Sequence, residues 1–196
     1  MLGGGVIWVL LAMGNRCDAR PTPVTSAQML EAVGQAWIAR TGDTPARATV
    51  DLLLAQSALE TGRWHSLMGY NVGNLKASST AAEYDYCYFT TREYVAGKWE
   101  TFYPDDPVTR FRWYATLADG CADYLGLLQT RYAFAWDRVI AGDVDGFVHA
   151  LKTNGYFTAP EAAYDSSVRS LAREFASLPA ACWELPDTEP EVVAGD

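Results

Sequence analysis

Apolar residues recur at helical spacing in two regions of this chain and alternate with polar residues between them. The first helical stretch can begin at Thr25 or Ser26, both of which suit an N-cap, and it runs to about Arg40. Its apolar stripe is formed by Met29, Val33, Ala36 and Trp37. We therefore predict a first helix that ends at Thr41-Gly42-Asp43.

A second helix is predicted between Thr44-Pro45, where proline suits the first helical position, and Gly62. Leu and Ala residues cover nearly all of its sides, so we expect it to be the central, buried helix. Its last turn carries one acidic residue, Glu60, and the loop that follows, up to Ala77, is crowded with aromatic and amide side chains. A carboxylic acid at the mouth of such a loop suggests an acid catalyst beside a sugar site.

From Tyr84 the spacing changes from helical to alternating, which predicts β-strands. Residues 84–95 are rich in aromatic and β-branched residues, turn at Ala96-Gly97 and resume over residues 98–103. Residues 109–114 form a further short strand. We expect these strands to form one small antiparallel sheet.

Helical spacing returns after the strands and continues almost to the end of the chain. The predicted helices cover residues 116–132, 134–141, 143–152 and 160–175. This order predicts an α+β fold, a mostly helical body with a small antiparallel β-lobe inserted. We place this domain at residues 25–177, between an apolar segment with its linker at residues 1–24 and an acidic tail at residues 178–196.

The first 14 residues are apolar but too short to span a bilayer. Val6 to Met13 is typical of a secretory signal and Ala12-Met13-Gly14 offers small residues for cleavage, although no Lys or Arg precedes them. The alternatives are an upstream start codon or a hydrophobic arm that packs on the body. The chain's net charge of -9 argues against a nucleic-acid partner, which would require a basic patch.

The cysteines Cys17, Cys87, Cys121 and Cys182 show no CxxC spacing and no cluster with the two histidines, so we expect no zinc site and no cofactor. Four cysteines allow three pairings, among which the sequence does not choose. Our interpretation pairs Cys17 with Cys182 and Cys87 with Cys121, and the alternative is four free thiols.

Two carboxylates are the candidates for catalysis. Glu60 lies in the last turn of an apolar helix, where the helix dipole and low-dielectric surroundings both favour the protonated acid. Glu93 lies on the first strand and could face Glu60 across a cleft, as glycoside hydrolysis requires of its two acids. Glu100 and Asp85 are rivals of Glu93, and each carboxylate could instead be a solvated surface residue.

Aromatic and amide residues near these acids could bind a sugar, the aromatic rings against its apolar faces and the amides at its hydroxyl or acetamido groups. The candidates are Gln56, Trp64, Tyr70, Asn71, Asn74, Lys76, Trp113 and Tyr156. Taken singly, each aromatic residue is more typical of the core than of a site. Lys76 could meet an acidic glycan or cap its loop. The sequence has no GxSxG, phosphate-binding loop or HExxH, and neither His65 nor His149 lies beside a cysteine.

Five segments of the chain, in order, form a recognisable set: AQSALETGRW, YNVGNLKA, TREYVAGKW, TRFRWYATLADGCADYLGLL and ALKTNGYFTAPEAAY. Together they lie between about Thr25 and Phe175. They resemble lysozyme-like peptidoglycan hydrolases of glycoside hydrolase family 73, the β-N-acetylglucosaminidases. That family includes the hydrolase domain of the flagellar rod-assembly protein.

The resemblance implies a lysozyme-like fold and a peptidoglycan glycan strand as substrate, cut after N-acetylglucosamine. It implies that Glu60 is the catalytic acid, that Glu93 matches the family's hairpin glutamate and that Tyr156 lines the cleft. The loop from Asn71 to Lys76 departs from the family's usual Asn-Leu-Phe-Gly-Ile-Lys, so a muramidase or lytic transglycosylase stays open.

Two alternatives from other classes also stay open. One is an inactive glycan-binding module, and the other is a structural part of an envelope or phage-tail machine. The enzyme interpretation implies a periplasmic, extracellular or virion-associated protein, with no stable membrane span.

Overall fold

The computed structural model describes residues 20–78 and 85–179. Within these ranges the helices are α1 Ser26–Thr41, α2 Arg47–Glu60, α3 Leu117–Thr130, α4 Ala133–Ala141, α5 Val144–Thr153 and α6 Glu161–Ala176. The strands are β1 Asp85–Tyr88, β2 Thr91–Val95, β3 Lys98–Phe102 and β4 Arg110–Trp113. The β-lobe lies between α2 and α3, so the predicted α+β architecture is confirmed.

The N-terminal helix begins where the sequence predicted, at a capping box. The Thr25 hydroxyl accepts a hydrogen bond from the Gln28 backbone N–H at 3.2 Å, and Gln28 Oε1 accepts one from the Thr25 N–H at 2.9 Å. At the other end Gly42, with φ of 81°, donates to the Ile38 carbonyl. Local residues alone are therefore sufficient to set both ends of α1.

The central helix is α2, in which every residue from Thr49 to Ala58 is buried. It begins two residues after Pro45, because Ala46 has an extended backbone and serves as the N-cap. The predicted start at Thr44-Pro45 was therefore slightly early. Arg47 ties this start to the end of α6 through a 2.7 Å hydrogen bond from its Nη2 to the Phe175 carbonyl.

The β-lobe contains two antiparallel pairs instead of the single sheet that the alternation predicted. In its described part, β1 pairs with β4 and β2 pairs with β3. The predicted strand over residues 84–95 is broken between Tyr88 and Thr91 because Phe89 turns inward and packs with Met68 and Phe111. Alternation of residue types cannot show where a strand changes its partner, and this prediction was wrong.

The predicted linker lies against the loop that follows α2. Pro21 forms an antiparallel bridge with Met68, and the Thr22 N–H donates to the Leu67 carbonyl at 2.7 Å. The Thr22 hydroxyl in turn accepts from the Tyr70 N–H at 3.0 Å. Residues 21 and 22 thus help to hold the loop that carries several of the predicted site residues.

The predicted disulfide between Cys87 and Cys121 is wrong. Cys121 is free and fully buried in α3, where it packs in the helical core. Cys87 is disulfide-bonded and belongs to the small apolar cluster of the β-lobe, so the alternative of four free thiols is wrong as well. Cys17, Cys182, the N-terminal apolar segment and the acidic tail from residue 180 lie outside the described residues.

Candidate active site

Glu60 is the last residue of α2 and lies half-buried where the helix meets the loop. Burial raises the pKa of its carboxyl from 4.5 to about 7, and the negative charge of Glu93 acts in the same direction. Hydrogen bonds from Tyr164 and Asn74 and the positive charge of Lys76 lower the pKa in part. Tyr164 Oη donates to Glu60 Oε1 at 2.6 Å.

The loop after α2 has an unusual backbone. Several of its residues other than glycine have positive φ: Arg63, Trp64, Tyr70 and Asn74, at 56°, 64°, 50° and 52°. Such conformations cost on the order of 1 kcal/mol or more each and persist only where the surroundings enforce them. Among these residues Asn74 is the type that tolerates the conformation best, and it brings its amide to Glu60.

Asn71 organises this loop from inside. It is buried, its Nδ2 donates to the carbonyls of Leu75 and Arg112 at 2.9 and 3.0 Å, and its Oδ1 accepts from the Leu75 N–H at 2.7 Å. The amide therefore joins the loop to β4. These bonds occupy the amide group with protein partners, which makes Asn71 a scaffold residue of the site.

Glu93 lies on β2 and is held on both carboxylate oxygens. Lys76 Nζ lies 2.9 Å from Oε1, and the Thr158 hydroxyl donates to Oε2 at 2.9 Å. Lys76 also donates to the Val108 carbonyl at 2.6 Å and lies 3.8 Å above the Phe111 ring. Burial lowers the pKa of Lys76, and the negative charge of Glu93 opposes this. The loop after α2, the β2–β3 hairpin and the α5–α6 connection thus meet at the Glu93 carboxylate.

A pocket opens beside Glu60 between the loop and the β-lobe. Its lining residues are Glu60, Thr61, Ser66, Met68, Asn71, Asn74, Phe89 and Phe111. Its lining therefore combines a carboxyl, hydroxyl and amide groups with a thioether and two aromatic rings. Polar and apolar groups together are typical of sites that bind sugars, which have polar edges and apolar faces.

Some of the predicted site residues lie at this pocket, and others lie in the core. Glu60, Asn71 and Asn74 line the pocket, and Lys76 and Glu93 lie close enough to act on the pKa of Glu60. Trp64 and Gln56 instead lie in the interior, 3% and 0% exposed.

Trp64 and Trp113 have protein partners of their own. Trp64 Nε1 donates to the Ser57 hydroxyl at 3.0 Å, and its ring stacks on Phe175. Trp113 is half-buried and stacks on Phe89, next to the pocket wall. Trp64 is thus a core residue of the helical body, whereas Trp113 supports the wall from behind.

The two predicted tyrosines lie close to the loop backbone. The Tyr156 hydroxyl donates to the Gly73 carbonyl at 2.6 Å, and its ring packs edge-on against Tyr132. Tyr70 is half-buried and packs partly on the helical core. Both therefore support the loop, and each keeps part of its side chain exposed.

Sequence reasoning did not assign roles to Tyr164, Thr158 or the apolar pocket residues. Tyr164 belongs to the buried stripe of α6, with Val168, Ala172 and Phe175, and its spacing marks only a core residue. Thr158 lies in a connection between helices. Both residues lie in ALKTNGYFTAPEAAY, one of the segments that carry the family resemblance, and that resemblance is the sequence signal for them. Residue spacing alone does not link either of them to a carboxylate more than sixty positions away, because such contacts arise only on folding.

Within residues 20–78 and 85–179, no group of three His, Cys, Asp or Glu side chains is placed to hold a metal ion. None of the helices in the described part of the chain has the length and apolar character needed to cross a membrane. That the reaction needs no cofactor stays a prediction from the sequence.

Residues 43–177, a range that contains α2 through α6, match the family described as Glucosaminidase, mannosyl-glycoprotein endo-beta-N-acetylglucosaminidase. The chain belongs to the glucosaminidase family. It is therefore a glycoside hydrolase, and the resemblance that its sequence motifs indicated is confirmed. No curated protein matches the chain.

Solved structures share the fold of this glucosaminidase. A peptidoglycan hydrolase mutant from Sphingomonas sp. A1 is 26% identical with a TM-score of 0.55, over 77% of this chain and 98% of that one. The peptidoglycan hydrolase from the same organism is 26% identical with a TM-score of 0.53, over 80% and 95%. A glycoside hydrolase domain of Salmonella typhimurium FlgJ is 25% identical with a TM-score of 0.49, over 79% and 99%. The two structures from Sphingomonas sp. A1, whose TM-scores exceed 0.5, confirm the predicted lysozyme-like architecture.

Proposed function

We propose that this glucosaminidase cleaves the glycan strand of peptidoglycan as an endo-β-N-acetylglucosaminidase, with Glu60 as the general acid. The observation that carries the proposal is the half-buried Glu60 carboxyl at the pocket, with a pKa of about 7. At neutral pH about half of these carboxyls hold a proton, which is the condition for efficient acid catalysis. The names of the solved relatives, which are peptidoglycan hydrolases, support the substrate.

In the proposed reaction Glu60 transfers its proton to the glycosidic oxygen as the bond to the anomeric carbon breaks. Positive charge develops on the sugar, and Glu60 is left as a carboxylate. Tyr164 and Asn74 both hydrogen-bond to this carboxyl and stabilise its charged form. A water molecule then adds to the anomeric carbon and gives up one proton to a carboxylate, either Glu93 as the base or Glu60 itself, which completes hydrolysis.

Glu93 is proposed to stabilise the developing positive charge or to activate this water. Both of its oxygens already have protein partners, Lys76 on one and Thr158 on the other. A carboxylate held in this way favours an electrostatic or base role over covalent attack, because a nucleophile needs a free oxygen aimed at the anomeric carbon.

A peptidoglycan substrate also implies where the enzyme acts. We place it in the periplasm, outside the cell or on a virion, where peptidoglycan is accessible. An envelope or phage-tail assembly that carries it would be its protein partner, and co-purification from the native source tests that part of the proposal.

The deciding experiment is digestion of purified peptidoglycan, with products reduced and identified by mass spectrometry. Wild type is compared with Glu60→Gln and with Glu100→Gln, a control that removes the hairpin carboxylate paired with Lys98. We expect reduced N-acetylglucosamine ends from wild type and the control, and none from Glu60→Gln.

Other products would change the proposal in defined ways. Reduced muramic acid ends would make the enzyme a muramidase, and anhydro-muramic ends would make it a lytic transglycosylase. Binding without any product would favour a glycan-binding or structural module. Full activity of Glu60→Gln would contradict the assignment of the acid.

A further inference from the structure

We propose that Gln56 and Tyr124 are positioning residues that fix the direction of the hydrogen bond between Tyr164 and Glu60. Through them, the hydroxyl of Tyr164 faces Glu60 as a donor and not as an acceptor. The inference rests on the proposed role of Glu60 as the acid. It assigns a function to two buried polar side chains that do not line the pocket.

The groups come from three helices that meet behind Glu60. Gln56 precedes Glu60 by one turn on α2, so the two side chains lie on the same face of that helix. Tyr124 comes from α3 and Tyr164 from α6. Gln56 and Tyr124 are 0% exposed and Tyr164 is 8% exposed. Buried polar groups in this number are expected to be hydrogen-bonded to one another.

The hydrogen bonds form one directed chain. The Tyr124 hydroxyl donates to Gln56 Oε1. Gln56 Nε2 donates to Tyr164 Oη at 3.3 Å. Tyr164 Oη donates to Glu60 Oε1 at 2.6 Å. The chain runs from a buried hydroxyl on α3 to the carboxyl of the proposed acid.

The orientation of the Gln56 amide decides the direction of this chain. Its nitrogen can only donate and its oxygen can only accept. With the nitrogen facing Tyr164, that tyrosine has no acceptor at Gln56, and its proton goes to Glu60. The Tyr124 hydroxyl holds the amide in this orientation, because it needs the amide oxygen as its acceptor.

The reverse orientation would have the opposite effect on the acid. If the amide oxygen of Gln56 faced Tyr164, it would accept the hydrogen bond that the Tyr164 hydroxyl donates. Tyr164 could then only accept a hydrogen bond from Glu60. A Tyr164 hydroxyl that accepts from Glu60 favours the protonated carboxyl, whereas one that donates to Glu60 favours the carboxylate. The observed direction therefore offsets part of the effect of burial and stabilises the carboxylate that forms after proton transfer.

The test uses two nearly isosteric variants, Tyr124→Phe and Gln56→Met. Tyr124→Phe removes the donor that holds the amide, and Gln56→Met removes the donor to Tyr164. Tyr124→Phe is expected to raise the pKa of Glu60 by about one unit, because the freed amide can turn its oxygen toward Tyr164 and Glu60 then loses a hydrogen bond. Gln56→Met is expected to raise this pKa by less, because Tyr164 becomes free to accept a hydrogen bond from Glu60 but gains no competing acceptor at residue 56. The double variant should match Gln56→Met alone, because the effect of Tyr124 passes through Gln56.

The primary readout is the carbon-13 shift of the Glu60 carboxyl, followed by NMR across the pH range in glutamate-labelled full-length protein. Glu60→Gln assigns the signal. The secondary readout is the alkaline limb of kcat/KM, which should move upward by the same amount. Tyr132→Phe is the matched control, since it removes a hydroxyl from another tyrosine that is only 4% exposed and lies outside the chain of hydrogen bonds.

The outcomes separate this inference from the proposed function. An unmoved Glu60 pKa in both folded variants overturns the inference, even if glycan cleavage still depends on Glu60. An effect of Tyr124→Phe that persists in the Gln56→Met background also overturns it. Conversely, shifted titrations in a protein that cleaves no glycan would support the positioning role and refute the function alone. If Tyr124→Phe fails to fold, Gln56→Met gives the same test.

Discussion

The Tyr164 hydroxyl donates a 2.6 Å hydrogen bond to Glu60 Oε1, joining residues 104 positions apart in the sequence. The same Tyr164 ring stacks on Phe157, with ring centroids 3.8 Å apart. The contact lowers the pKa of the Glu60 carboxyl, which burial raises, and it comes from a helix that does not line the pocket.

Replacing Tyr164 by Phe should keep the stack on Phe157 and remove the donor to Glu60. The carboxylate then loses a hydrogen bond worth about 1.5–3 kcal/mol, so we expect kcat to fall by about 10- to 100-fold. The alkaline limb of the pH–rate profile should move above its wild-type position. Tyr103→Phe, which changes an exposed tyrosine, is the control. An unaltered profile would show that the hydroxyl has no role in ionisation.

The raised pKa of Glu60 predicts that stability falls as pH rises through the window from 4.5 to about 7. In that window the folded protein holds the Glu60 proton and the unfolded chain has lost it, so ionisation disfavours the folded state. A shift of this size corresponds to about 3 kcal/mol. Urea unfolding of wild type and Glu60→Gln should therefore diverge with rising pH, with the variant more stable above pH 7. Parallel curves would contradict the raised pKa.

Thr158→Val should loosen the hairpin and misplace Glu93. The Thr158 hydroxyl donates to Glu93 Oε2 and also accepts from the Tyr94 backbone N–H at 3.1 Å. We expect kcat/KM to fall by about 10-fold and the Tyr94 amide to exchange faster with solvent. Thr101→Val, at an exposed position of the same hairpin, should change neither quantity. Unchanged exchange at Tyr94 would argue against this connection.

Gly69→Ala should destabilise the fold by about 3 kcal/mol. Gly69 has φ of 52°, and a Cβ there would lie 2.1 Å from Trp113 Cδ2. Gly97→Ala separates the two effects, because Gly97 has φ of 86° with nothing within 4 Å of a Cβ. The difference between the losses in unfolding free energy of Gly69→Ala and Gly97→Ala measures the cost of the contact with Trp113. Equal losses would show that this contact costs nothing.

The thiol of Cys121 should be unreactive in the folded protein. Its side chain is fully buried, and burial raises its pKa to about 12. Wild type and Cys121→Ala should therefore take up the same amount of maleimide when native. After unfolding without reductant, wild type should take up one more equivalent. Rapid native labelling of Cys121 would place this thiol outside the core.

The sequence by itself determined the helices and placed Glu60, the proposed acid, at the end of one of them. The capping box at Thr25 and the apolar run of α2 act within a few residues, so local sequence is enough to predict them. Glu60 stands out for the same reason, as the single carboxylate at the end of a nearly apolar helix next to a helix break.

Only the tertiary structure decided what surrounds that acid. Phe89 lies in a cluster with Met68 and Phe111, which interrupts a strand that the sequence predicted as continuous. Trp64, predicted to bind a sugar, lies in the core and stacks on Phe175. The partners of Glu60 and Glu93 come from α6 and from the connection before it. Such contacts depend on how separate elements pack, and packing is set by the whole chain and not by the spacing of residues within one segment.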